Sequence, residues 1–200
     1  MSHEQIKDYA GAKLGMWLFL FTELLLFGGL FLLYGAYLSR YPHEFAAAGR
    51  EMHLFFGTLN TVILITSSFL VAAAVTAIQR DRRLTVLWLL GGTVLCAAVF
   101  LFNKYLEWSD EIGRGIYPGS PTLAAGPPGE SVFYGLYYLT VGLHGLHVLV
   151  GGTLLSVVAL KVRRGTVHGG DYIWLENGAL YWHLVDLIWI FIFPLYYLIL

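Results

Sequence analysis

Five apolar runs, each long enough to cross a lipid bilayer, constrain this chain more than anything else in it. They cover about residues 14–37, 54–78, 84–106, 132–160 and 173–200, and about 20 apolar residues suffice for one span. Lipid offers no partner to backbone N–H and C=O groups. Only helices and closed barrels therefore cross it, and continuous runs of this length are helices. Composition agrees, with 58% hydrophobic and 12% charged residues against about 25% charged in soluble domains. The fold class read from these features is all-α: a polytopic membrane protein, a bundle of five transmembrane helices forming a single domain over residues 1–200.

Basic residues give the bundle a direction. Lys7 and Lys13, then Arg80, Arg82 and Arg83, then Lys161, Arg163 and Arg164 fall in three segments on one side. Arg40, Arg50 and Arg114, with Lys104 near a helix end, fall on the other. The positive-inside rule then predicts a cytoplasmic N-terminus and an external C-terminus. The first run lacks a cleavage site and is expected to stay as an uncleaved anchor. Cys96, the single cysteine, lies inside the third run and excludes an intrachain disulfide. A formal net charge of −1 leaves no basic footprint for nucleic acid. The segment 109–131 is rich in glycine and proline and is expected to be irregular and external.

Charged groups inside such runs are costly and normally face a protein interior or a wet cavity. Glu23 lies near mid-depth in the first run, with no cation in the same span. It reads either as a neutral carboxylic acid hydrogen-bonded within the bundle, or as a group that handles protons or meets a lipid or partner. In the last run, Glu176, His183 and Asp186 fall within roughly 80° of one another around a helix, making one polar face. Leucine at His183 or Asp186 is expected to weaken assembly by stranding a buried polar partner. In the fourth run Thr140, His144, His147 and Gly151 form one stripe, and Gly135, Gly142, Gly145 and Gly152 form another. The glycines read as a close-packing face, while the histidines read as interhelical glue or as ligands of a metal or haem. Lys104 can reach Glu107 on the next turn, in what reads as an interfacial cluster with Asp110 and Glu111. Trp108 and Trp174 are expected in the interfacial aromatic belt, and Pro194 is expected to kink the last helix.

No Cys-x-x-Cys-His, P-loop, dinucleotide fingerprint or serine nucleophile elbow occurs. Three intramembrane histidines are too few for several haems plus a metal centre, so the chain does not read as a catalytic redox subunit by itself. Two other classes stay open: an autonomous membrane cytochrome built on those histidines, and a proton or ion transporter working through Glu23.

Several segments resemble subunit III of the haem–copper oxidases, as in bacterial and mitochondrial cytochrome c oxidase. They are Gly15-Met16-Trp17-Leu18-Phe19-Leu20-Phe21-Thr22-Glu23, Leu59-Asn60-Thr61, Glu107-Trp108, Gly142-Leu143-His144-Gly145-Leu146-His147-Val148 and Tyr181-Trp182-His183-Leu184-Val185-Asp186-Leu187-Ile188-Trp189. The resemblance implies an accessory subunit with no catalytic, cofactor-binding or metal-binding residue of its own. It would sit beside the catalytic subunit I and subunit II, which hold haem and copper, in a proton-pumping complex that reduces dioxygen to water. It further implies bound phospholipid, a role in sustained proton uptake, and a place in the bacterial inner membrane. Glu23 matches the family's buried, carbodiimide-reactive glutamate. Glu107, His144, His147, His183 and Asp186 match its other polar positions. Longer members have seven spans, the first two walling a lipid-filled cleft. This sequence starts at their third span, so such a cleft would need its missing wall from another chain. Related five-span subunits serve quinol oxidases and nitric oxide reductases. The Glu23 and Glu107-Trp108 regions look more like the cytochrome c oxidase type.

Overall fold

A computed structural model describes residues 9–198; Lys7 and the last two residues of the fifth apolar run lie outside them. Seven helices follow one another: α1 (Tyr9–Arg40), α2 (Pro42–Arg50), α3 (Leu54–Gln79), α4 (Arg83–Gly113), α5 (Pro121–Ala125), α6 (Pro128–Arg164) and α7 (Ile173–Tyr197). Five of them, α1, α3, α4, α6 and α7, are long and apolar enough to span a bilayer.

The helices overrun the apolar stretches. Most of the segment expected to be irregular is helical: α4 continues to Gly113, α5 fills Pro121–Ala125 and α6 starts at Pro128. Pro121 and Pro128 stand in the first turns of α5 and α6, where a missing N–H costs nothing and a fixed φ favours helix. Ser120 caps α5 by accepting a hydrogen bond from the Leu123 amide at 3.2 Å. At the other end of α6, Gly165 adopts a left-handed φ of 78°, the usual stop for a helix.

In the packing, α7 lies against α1, α2, α3 and α6, while α4 lies against α3 and α6. Trp182 and Trp189 of α7 are fully buried. Their indole N–H groups donate across to α3, to Ser67 Oγ at 3.0 Å and Thr61 Oγ1 at 2.9 Å, so each large ring is buried with its polar atom satisfied. Gly57 and Gly151 let this happen. A Cβ at Gly57 would stand 2.8 Å from the Tyr197 ring, and one at Gly151 would stand 2.8 Å from the Trp182 ring. The glycine stripe of α6 faces α4, where Gly142 meets Trp108 and Gly152 meets Ala97. Closer approaches in α6 are nevertheless at Gly129, where a Cβ would stand 2.7 Å from Glu44 of α2, and at Gly151, on the stripe that also bears the histidines. Gly135 meets nothing.

Helix α1 is different. It touches α2, α6 and α7 but not α3 or α4, and it buries only Leu20, Phe27 and Tyr34. That seven-residue spacing draws a single narrow seam. The remaining apolar surface, including Leu18, Phe21, Leu25 and Leu32, is exposed, as expected where lipid or another chain is the solvent.

Candidate functional site

Two polar centres sit inside this bundle, one near the end that bears Arg114 and one at mid-helix. In the first, Lys104 Nζ donates to Glu107 Oε2 at 2.8 Å, to Tyr137 Oη at 3.0 Å and to Tyr197 Oη at 2.6 Å. The two phenols in turn donate to Glu107 Oε1, at 3.0 and 2.6 Å. An ammonium has three N–H donors and all three are used; both carboxylate oxygens accept; each phenol both gives and receives. Four side chains from α4, α6 and α7 thus form a closed box. The Lys104 ammonium also lies 5.6 Å from the Trp189 ring centroid, within cation–π range.

The expected interfacial cluster is therefore split. Glu107 is 0% exposed and Lys104 6%, because α7 and α6 bring their tyrosines over them. Asp110 faces outward to Arg114 Nη2 at 3.0 Å and His53 Nε2 at 3.0 Å. Glu111 is buried with Oε2 unpartnered. Trp108 packs on Tyr138, centroids 5.0 Å apart, and its ring touches Gly142, while Trp174 stays exposed with Lys161 Nζ 3.7 Å above it.

The second centre is a pair. Glu23 of α1 meets His147 of α6, Oε2 to Nε2, at 2.9 Å, both side chains largely buried. His147 Nδ1 lies 2.8 Å from the Leu143 carbonyl, which can only accept, so Nδ1 carries a proton. Nε2 then either accepts from a protonated Glu23 or donates to an ionised one. In both cases one proton resides in the Glu23–His147 contact, and moving it from one partner to the other changes no hydrogen-bond partner. Phe27 packs edge-on against the imidazole at 5.3 Å, and the Tyr181 ring stacks on its other side at 6.4 Å.

The remaining sequence-derived candidates are dispersed. Glu176 pairs with Lys13 of α1 at 2.7 Å, His183 Nδ1 meets Ser68 Oγ of α3 at 2.7 Å, and Asp186 points into the core. The polar face of α7 thus serves two neighbours, Lys13 of α1 and Ser68 of α3, with Asp186 beside the latter. Neither Asp186 oxygen has a hydrogen-bond partner, the nearby Ser68 hydroxyl being engaged by His183. The expectation of a stranded partner therefore finds one only at His183. His144 is fully buried with both ring nitrogens unpartnered, held between the Phe100 and Trp189 rings at 5.5 and 5.2 Å. His144 and His147, one stripe in sequence, face different neighbours. Among the described residues no group of three or more His, Cys, Asp or Glu side chains is placed to hold a metal.

Sequence reasoning paired Lys104 with Glu107 by spacing but missed Tyr137 and Tyr197, which come from helices 30 and 90 residues away. Their one available signal was excess: aromatic residues make up 16% of the chain, and 13 of them are tyrosines, more than the belts at two membrane surfaces require.

The sequence model of the family described as cytochrome c oxidase subunit III matches residues 2–199. Cytochrome c oxidase subunit 3 of Thermostichus vulcanus is 35% identical over 188 residues, covering 93% of this chain and 86% of that protein. The haem–copper oxidase subunit I+III of Aeropyrum pernix is 32% identical over 190 residues, 92% of this chain but 22% of that longer protein. A probable quinol oxidase subunit 3 of Staphylococcus epidermidis is 29% identical over 195 residues, 94% of this chain and 88% of that one.

Proposed function

This chain belongs to the cytochrome c oxidase subunit III family, and from that premise we propose that it is a cofactor-free accessory subunit of a proton-pumping haem–copper terminal oxidase. It acts as one membrane unit beside subunits I and II, which hold the haem and copper, and takes no part in the redox chemistry. The observation that carries this reading is the family match along nearly the whole chain. The Aeropyrum pernix relative, named as subunits I and III in one polypeptide, supports a seat against subunit I. Of the intramembrane histidines, His147 has both ring nitrogens engaged, by Glu23 and the Leu143 carbonyl, and so is not free to serve as a haem ligand.

Lys13, Arg80, Arg82, Arg83, Lys161, Arg163 and Arg164 all fall at one end of the bundle, against Arg40, Arg50, Lys104 and Arg114 at the other. On the positive-inside rule the first end is cytoplasmic, in a bacterial inner membrane, and the C-terminus is external. The wide exposed surface of α1 faces phospholipid or another chain of the complex. The buried polar groups Glu23, Glu107, His144, His147, Glu176, His183 and Asp186 are its candidate working residues. Among them the Glu23–His147 pair, which holds a proton at mid-helix, is the one suited to support proton uptake by the neighbouring subunit.

Purification of the tagged chain from its native membrane in mild detergent tests this. The expected product is a complex with haem–copper absorbance, from which this chain separates colourless. A haem band that stays with the separated chain, or a chain without a multi-span redox partner, would overturn it. The substrate that reduces the purified complex, cytochrome c or quinol, distinguishes the two kinds of relative.

A further inference from the structure

Away from α1, on the opposite face of the bundle, α3 and α4 enclose a groove of about 540 Å³. Phe69, Ala72, Ala73, Ala77 and Leu89 line it together with Thr76 and Thr85, and Arg80 and Arg82 line the end nearest the α3–α4 turn, its mouth. From Phe69 to Arg80 is eleven residues of α3 and its cap, about 16 Å at 1.5 Å per residue. Half of a hydrocarbon core of about 30 Å is nearly the same length. The groove is thus one leaflet deep, apolar where acyl chains lie and cationic at the level of headgroups.

The charge at the mouth is unbalanced. Arg80 and Arg82 are exposed and neither forms an ion pair with a described residue. The acid between them, Asp81, is turned away. Its backbone takes a φ of 54°, unusual for a residue with a Cβ, and its carboxylate accepts a hydrogen bond from the Gly169 amide at 3.1 Å in the α6–α7 turn. That carboxylate is thereby committed to a different loop.

We propose that the α3–α4 groove binds an anionic phospholipid, one acyl chain lying over the alanines and the phosphate between Arg80 and Arg82. Basic pockets between membrane helices recognise such headgroups, each cation near the surface strengthening the attraction. The occupant is set by charge complementarity and by the match of groove depth to one leaflet. This inference goes beyond the oxidase reading and needs only that the chain lies in a membrane.

The test is native mass spectrometry of the protein purified with whatever partners it retains, while phosphatidylglycerol is titrated against phosphatidylethanolamine. The unmodified protein is expected to retain the anionic lipid preferentially. Arg80→Gln with Arg82→Gln is expected to lower that preference tenfold or more. Ala72→Phe, at an exposed position that leaves the core intact, is expected to reduce retention of both lipids at this site. Equal retention by the unmodified protein overturns the proposal, as does a preference that survives the double variant or a lipid load indifferent to Ala72→Phe. Loss of a co-purifying polypeptide from the double variant, with lipid unchanged, makes the arginines a protein contact and overturns it too. Absence of haem–copper partners would sink the oxidase reading while leaving these lipid ratios as predicted.

Discussion

The Lys104 box and the polar groups around the middle of α7 are both buried, yet they are built on opposite principles. In the box every donor meets an acceptor among four side chains from three helices. Around α7, Asp186 and His144 are buried with no hydrogen-bond partner at all, and the Glu23–His147 pair depends on a single bond to the loosely seated α1. A closed network resists change, because removing one member leaves the others desolvated and unpaired. An open arrangement tolerates substitution and leaves room for a proton to move. The contrast assigns a framework role to the box and leaves the mid-helix groups free for function.

Breaking the box gives the largest effect. Glu107→Ala leaves a buried ammonium without its anion and is expected to destabilise the protein by about 3–5 kcal/mol, read as a lower Tm or as loss of the chain from purified complexes. Replacing Lys104 by Met and Glu107 by Leu together is expected to recover most of that loss, since removing a buried pair costs far less than halving it. A double variant as unstable as the single one would mean that the tyrosines need the charges. Next comes His183→Leu, which strands the Ser68 hydroxyl and is expected to cost about 1 kcal/mol, seen as a modest fall in Tm. For Asp186→Asn the expected change is under about 1 kcal/mol, because no bonded partner is lost; a collapse of assembly would show that Asp186 has a partner in the complex. Glu23→Gln is the mildest. Its amide can still donate to His147 Nε2, so Tm and initial oxidase turnover are expected to stay near wild type. Sustained turnover is where a proton-handling role would register. Immediate loss of all activity in an assembled complex would contradict the accessory-subunit reading.

Much of this was legible in the sequence, for physical reasons. Lipid permits so few backbone solutions that apolar run length alone dictates five spanning helices. Glu23 announced itself because a carboxylate among Phe19, Phe27 and Leu30 must find a partner. What stayed hidden was the partner's identity: His147 lies 124 residues away, and helix periodicity says which face a residue occupies but not which helix that face meets. The same limit merged His144 with His147, and Glu176 with His183 and Asp186, into stripes that the structure divides among different neighbours. The segment 109–131 misled for another reason. Prolines read as breakers, but Pro121 and Pro128 start helices.

The seam that holds α1 also bears on how the protein is made. Leu20, Phe27 and Tyr34 meet helices encoded at the far end of the chain: Tyr34 hydrogen-bonds the Leu195 carbonyl, 161 residues on, and Glu23 waits for His147. Helix α1, made before α6 and α7, is therefore seated only after them. Until α6 and α7 emerge it has only α2 to lean on, with its glutamate unmatched in the bilayer. Docking of α1 thus waits on α6 and α7, and a chain truncated after α4 should leave α1 undocked and exposed.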